Sequence, residues 1–213
     1  MSSTYLEKVF GNISEIKEEI KVVQNLTKFE RVGEFKSTLS LDYIINSKEN
    51  RPSLQLADKE GNTYNTYLLI RGNCLNLKTE SIMIKKVLPN NVIYSVILSF
   101  YALSKEFKDN DIYNISAQIF YRDNTIHVNN IYKISHNRKD IEKASVKLIK
   151  RDLFYLVAVS QVMLETAKYL NMSINLSSLS NTNNEKITNV FKFVLKVLSE
   201  SEQYKNIKIN FAE

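Results

Sequence analysis

Glycine is scarce in this chain of 213 residues, with 4, and proline scarcer still, with 2; there is 1 cysteine, there are 2 histidines and there is no tryptophan. A phosphate-cradling loop, a dinucleotide fingerprint or a nucleophile elbow needs several glycines at fixed spacing, because only a residue without Cβ lets backbone N–H groups approach a ligand so closely. Gly11, Gly33, Gly61 and Gly72 are scattered and cannot build one. Cys74 with His127 and His136 is too small a donor set for a zinc finger, and one thiol cannot close a disulfide within the chain. Cys74 lacks the basic setting that would make it a nucleophile, and an unpaired thiol fits a reducing compartment. No apolar run reaches the ~20 residues that span a bilayer, and Met1-Ser2-Ser3-Thr4 lacks the basic-then-apolar opening of a secretory signal. The expectation is an intracellular protein, cytoplasmic or associated with a nucleoid, with no membrane contact, no cofactor and no metal.

What the chain does contain is apolar surface and a moderate positive charge. Apolar residues make up 44% of it, enough for a sizeable core, so general disorder is excluded. Lys and Arg number 29 against 23 Asp and Glu, a net charge of +6. That is mildly basic, well short of a packaging protein. With glycine-dependent chemistry removed, composition argues against most enzymes and for a binding protein.

Three regions follow from periodicity. In residues 1–32, Leu6, Val9, Phe10, Ile13, Ile16, Ile20 and Val23 recur at spacings of three and four, which predicts one or two amphipathic helices, with a break at Gly11-Asn12. Residues 33–135 read as β. Leu54 and Leu56, the turn Asp58-Lys59-Glu60-Gly61-Asn62 and the run Thr63 to Ile70 form one predicted hairpin. Ile112 to Phe120 and Thr125 to Ile134 form a second around Tyr121-Arg122-Asp123-Asn124, and Asn129-Asn130 breaks its alternation in the manner of a bulge. Between them, Val92 to Leu103 is almost wholly apolar and fits a buried helix or a strand. Residues 136–213 return to a helical period, with a very apolar stretch from Leu153 to Val159. A Ser- and Asn-rich loop follows over Asn171 to Asn184, and then a stripe of Ile187, Val190, Phe191, Val194, Leu195 and Leu198.

The central region resembles an OB-fold, and most of all the single-stranded DNA-binding proteins related to replication protein A. The residues that carry the resemblance are Leu54-Gln55-Leu56-Ala57-Asp58-Lys59-Glu60-Gly61 before Thr63 to Ile70, and Lys108 to Ile115 leading into Tyr121 to Ile134. It covers about half of the chain; Asp111 stands where many members have Gly, and the insert between the third and fourth strands is long. The resemblance implies an α+β protein in which a five-stranded β-barrel is flanked by N-terminal and C-terminal helices. It also implies a ligand held by base stacking and phosphate neutralisation.

Aromatics beside bases are the candidate contacts: Phe35 with Lys36, Tyr67 with Arg71, Phe120 and Tyr121 with Arg122, and Tyr132 with Lys133. A tyrosine on a strand is also ordinary half-buried packing. Tyr121-Arg122, at a hairpin tip, is the leading pair. Residues 138–151 hold six bases, Arg138, Lys139, Lys143, Lys147, Lys150 and Arg151, against Asp140 and Glu142. On a helix Lys139, Lys143 and Lys147 stand along one face, as a phosphate ladder or as a solvated surface. Asp42, Asp58 and Glu60 only loosely imitate a metal-dependent nuclease and fit turn acids better. The sequence therefore predicts a non-enzymatic protein that binds single-stranded DNA or RNA in replication, repair or recombination, oligomeric through its helical regions. An assembly protein without nucleic acid and a nuclease are the alternatives.

Overall fold

The computed structural model describes residues 3–35, 64–74, 77–87, 93–104, 113–135, 148–181 and 185–212. The chain opens with two helices, α1 (Ser3–Phe10) and α2 (Ile13–Leu26), and the break falls at the expected Gly11-Asn12. Gly11 takes φ +108°, where a Cβ would also meet a Glu15 carboxylate oxygen at 2.9 Å. Asn12 caps α2 by accepting the Glu15 N–H at 2.9 Å. Leu6, Phe10, Ile16, Ile20 and Val23 are buried, the apolar stripe read from the sequence. The helical segment stops short of residue 32. Thr27 ends it, its hydroxyl donating to the Val23 carbonyl at 2.7 Å, and Lys28–Phe35 is already strand β1.

The strands that follow are β2 (Tyr64–Cys74), β3 (Leu77–Val87), β4 (Ile93–Ser104), β5 (Tyr113–Arg122) and β6 (Thr125–Ser135). Each pairs antiparallel with the next. The apolar run that follows Val92 is thus strand, from Ile93, rather than helix. Two short strands, β7 (Ser173–Asn175) and β8 (Ile209–Asn210), add in parallel beside β6. The spatial order is the chain order, β1 to β8, in one mixed sheet.

This overturns the five-stranded OB barrel. A barrel closes by pairing its ends, whereas here the sheet is open, and among the described residues β1 pairs only with β2. The physical reason lies in helix α3 (Lys150–Leu170), whose residues from Asp152 to Ala167 are almost all buried. A helix apolar all round must be covered on every side. Strands β2 to β5 pack along one side of it, and α1, α2 and α4 (Glu185–Ser199) along the other. The sheet therefore spreads over a helix instead of curling onto itself. Tyr64–Cys74 finds its partners in β1 and β3; the Leu54 to Gly61 stretch on which the resemblance rested lies outside the described residues.

The core is one cluster. It takes Leu6 and Ile16 from the first expected region, Ile115 and Val128 from the second, and Leu156, Phe191 and Tyr204 from the third. The stripe expected for α4 is buried in full, Ile187 through Leu198. After the left-handed cap Asn171 (φ 54°), Ser177–Asn181 forms a 3₁₀ turn inside the expected loop.

Candidate nucleic-acid interface

The β5–β6 hairpin carries the leading candidates. Its two-residue turn is Asp123-Asn124, with φ 52° and 56°, the left-handed pair of a type I′ turn whose twist suits an antiparallel ribbon. Asp and Asn tolerate that region better than most residues. The tip is anchored, because the Asn124 side-chain amide donates to the Asn171 carbonyl at 2.9 Å and the Ser173 N–H donates to the Asn124 carbonyl at 3.2 Å.

Faces alternate along β5. Ile115 and Ala117 are buried towards α3, and the backbone of Tyr121 is registered opposite Ile126. Phe120 and Arg122 belong to the outer face. Phe120 is 41% exposed and lies flat on its cross-strand partner His127, with ring centroids 4.6 Å apart and planes 4° apart. The Arg122 side chain is 72% exposed and rests 3.7 Å from the Asp123 carboxylate.

On β6 one residue decides the outcome. Gln118 faces Asn130 and Ile119 faces Val128, so Asn129 has no partner in the ladder, and the expected bulge is present. Ile126 and Val128 are buried before it; after it the buried positions are Ile131 and Lys133. Unbroken alternation would put Lys133 on the outer face and Tyr132 inside. The inserted residue reverses both.

Lys133 thereby leaves the phosphate path. Its ammonium is buried and lies 3.0 Å from the Asp152 carboxylate, itself wholly buried in the first turn of α3. The same carboxylate oxygen accepts the Ile149 N–H at 2.7 Å, and the other accepts no hydrogen bond. Asp152 thus caps α3 where Ile149 has no polar side chain to do so, and ties it to β6. Tyr5 on α1 stands close enough to feel this charge. Burial, first, and the Asp152 carboxylate, second, push its phenol above the ordinary value. Lys186 of α4 sits over the Tyr5 ring at 5.2 Å.

The remaining candidates are dispersed. Tyr132 is half-buried, and Lys150 and Arg151 are exposed at the start of α3. From Thr125 at the tip to Lys133 beside α3 the strand runs roughly 25 Å at ~3.3 Å per residue, so Arg122 and Arg151 belong to opposite ends of the hairpin. Arg71 is registered between Glu30 and Glu80 on the adjacent strands, and Tyr67 between Phe35 and Ile84. Lys36, Lys139, Lys143 and Lys147 lie outside the described residues, as do Asp42, Asp58 and Glu60. The Phe120–His127 stack was not read from the sequence, although two rings three positions either side of the Asp123-Asn124 turn were its signal. Asp152 and Glu165, whose carboxylate accepts the Tyr204 hydroxyl at 2.9 Å, were passed over because an acid in an apolar run carries no mark of its partner.

Among the described residues no helix is long and apolar enough to cross a membrane, and no three His, Cys, Asp or Glu come together as metal ligands. No protein-family model, curated protein or solved structure matches the chain.

Proposed function

We propose that this protein is a non-enzymatic binder of single-stranded nucleic acid, and that the outer face of the β5–β6 hairpin is its contact surface. The observation that carries the reading is the exposed Phe120 ring, held flat against His127, with exposed Arg122 two residues further along the same face. A ring fixed in advance loses little freedom when a base stacks on it, and a base on an aromatic face contributes about 1–3 kcal/mol whatever its identity. Arg122 supplies a cation for the neighbouring phosphate. Lys150 and Arg151 lie at the other end of the hairpin and would meet a strand long enough to run along it. Such a protein acts inside the cell, in replication, repair or recombination.

The test is a fluorescence-anisotropy titration with labelled oligothymidine, oligouridine and a duplex at two salt concentrations. Single strands should bind more tightly than duplex. Phe120→Ala should weaken them roughly 5- to 150-fold, as 1–3 kcal/mol requires, and Arg122→Ala should lower the slope of log affinity against log salt by about 0.7. No binding, or no preference for single strands, would remove the proposal. A second reading, an assembly protein, is favoured by Val22 and Leu26, which lie four apart on α2 and are each about half exposed. It requires association with no nucleic-acid affinity in the same titration.

A further inference from the structure

The outer face of the hairpin continues onto the two short strands beside it. Phe120 is registered opposite His127, His127 opposite Asn175 and Asn175 opposite Asn210, one row over β5, β6, β7 and β8. The next row towards the tip holds Arg122, Thr125 and Ser173. Burial fixes the face: between the rows Ile126 and Ile174 are buried and Ile209 packs on the core, so their neighbours along each strand lie on the opposite side. Lys208, one residue before Ile209, belongs to that outer side as well, and its carbonyl accepts the Ile174 N–H at 2.9 Å. Phe120, Arg122, Lys208 and Asn210 are exposed, and His127 and Asn175 are half-buried. Neither row holds an acid. The two asparagines are held alike. The Asn175 side-chain oxygen accepts the Ser177 N–H at 2.8 Å, and the Asn210 oxygen accepts the Ala212 N–H at 3.0 Å. A backbone N–H can only donate, so these bonds fix which end of each amide is oxygen. What remains at each position is an NH₂ group, and among the described residues neither donates to the protein.

From this row we infer, resting on the nucleic-acid reading of Phe120 and His127, that the contact surface extends across β7 and β8 and selects single strands whose bases carry a keto oxygen. Thymine, uracil and guanine present an acceptor, O4 or O6, where adenine and cytosine present an amino donor. Two groups that can only donate match the first set and oppose the second. Their placement suits the bases that follow the stacked one. Asn175 is two strands from Phe120, roughly 10 Å at ~4.8 Å per strand, and Asn210 is three, roughly 14 Å. Both amides are held by their turns before any ligand arrives, so a base edge meets donors already in position, and little freedom is lost on binding. Charge complements the same occupant. Arg122 stands on β5 at one end of the rows and Lys208 beside β8 at the other, so the phosphates of a strand crossing the sheet meet a cation at each end while its base edges meet the amides between them.

Anisotropy titrations of the full chain with labelled oligothymidine and oligodeoxyadenosine of equal length test this. The unaltered chain should prefer oligothymidine. Asn175→Ser and Asn210→Ser are neutral changes that keep an oxygen able to accept the turn N–H and remove the amide donors. Each should weaken oligothymidine roughly fivefold, the share of one hydrogen bond, and leave oligodeoxyadenosine within about twofold. A variant that had merely lost its fold would lose both ligands alike. Lys208→Ala should lower the slope of log affinity against log salt by about 0.7 for both oligonucleotides, and Lys17→Ala, on α2, should leave it unchanged. Serine variants that lose neither ligand or both equally overturn the inference, as does a salt slope unmoved by Lys208→Ala. If Phe120→Ala still weakens single strands in that case, the stacking surface stands without its extension. A chain that binds neither oligonucleotide removes both.

Discussion

Lys133 and Asp152 hold opposite charges where water does not reach them, and their value to the fold depends on both being present. Removing one partner of such a pair leaves a buried charge uncompensated and typically costs about 3–5 kcal/mol, whereas replacing both with apolar residues is often close to neutral. Lys133→Met should therefore lower the urea midpoint sharply, and Lys133→Met with Asp152→Leu should recover most of the loss. Recovery will be incomplete, because Asp152 also accepts the Ile149 N–H and that cap is lost. Equal destabilisation by the single and double variants would sink the idea that the two charges are coupled. Tyr5 gives a pH dependence of known sign. Its folded phenol ionises above its unfolded value, so the folded state binds the proton more tightly. The stabilisation is fully present below about pH 10, the ordinary tyrosine value, and is lost as pH rises through the raised folded value. Stability of the unaltered chain should fall on that alkaline limb, and Tyr5→Phe should flatten it in urea titrations between pH 9 and 11.

Among the elements, the end of α3 and the bulge in β6 each turn on a single residue. Asn171 closes α3 in the left-handed region at φ 54°, and its N–H donates to the Lys168 carbonyl at 3.3 Å. Asn171→Gly should leave the thermal midpoint unchanged or higher; Asn171→Ala should cost about 1–2 kcal/mol, the penalty of a Cβ in that conformation. The elements most legible in the sequence are those with one covered face: α2, α4 and the β5–β6 hairpin each show their period because polar residues mark the other side. β3 was illegible for the opposite reason. Thr79, Ser81, Met83 and Lys85 on one face and Glu80, Ile82, Ile84 and Lys86 on the other give no alternation to find. The bulge at Asn129 was visible as a break in pattern, but its consequence, the exchange of faces between Tyr132 and Lys133, depends on which strand holds the extra residue. Only the pairing settles that.

For the molecule as a whole, the expected boundaries cut through a single core. Residues 33–135, read as an OB-like β-barrel domain, carry most of a sheet whose strands β2 to β5 pack on the helix of residues 150–170. Expressed alone, 33–135 should fail to fold. Poor amide dispersion in a proton–nitrogen correlation spectrum would show this, and a well-dispersed spectrum would refute it. The full chain should unfold in one calorimetric transition, with van't Hoff and calorimetric enthalpies agreeing. The resemblance to an OB-fold was misleading at this scale because strand-turn-strand signals are local, whereas closure is decided by what fills the space between sheet and helix. Nothing in residues 54–134 reports that α3, further along the chain, lies against the sheet.

The two parallel strands at the end of the sheet set a timetable for its assembly. β6 is made long before β7, and β7 must wait for β8, whose residues 209–210 emerge about thirty-five positions later. During synthesis at roughly 5–20 residues per second, the meander from residue 28 to 135 and the apolar helix that follows it are without their last neighbours for several seconds. Pairings this distant form slowly, because the chain between them must first be ordered. Surfaces that end up sealed between layers are open to other proteins in that interval. A chain with this strand order should depend on chaperones or low temperature for its yield, and truncation before Ile209 should shift it from the soluble fraction to inclusion bodies.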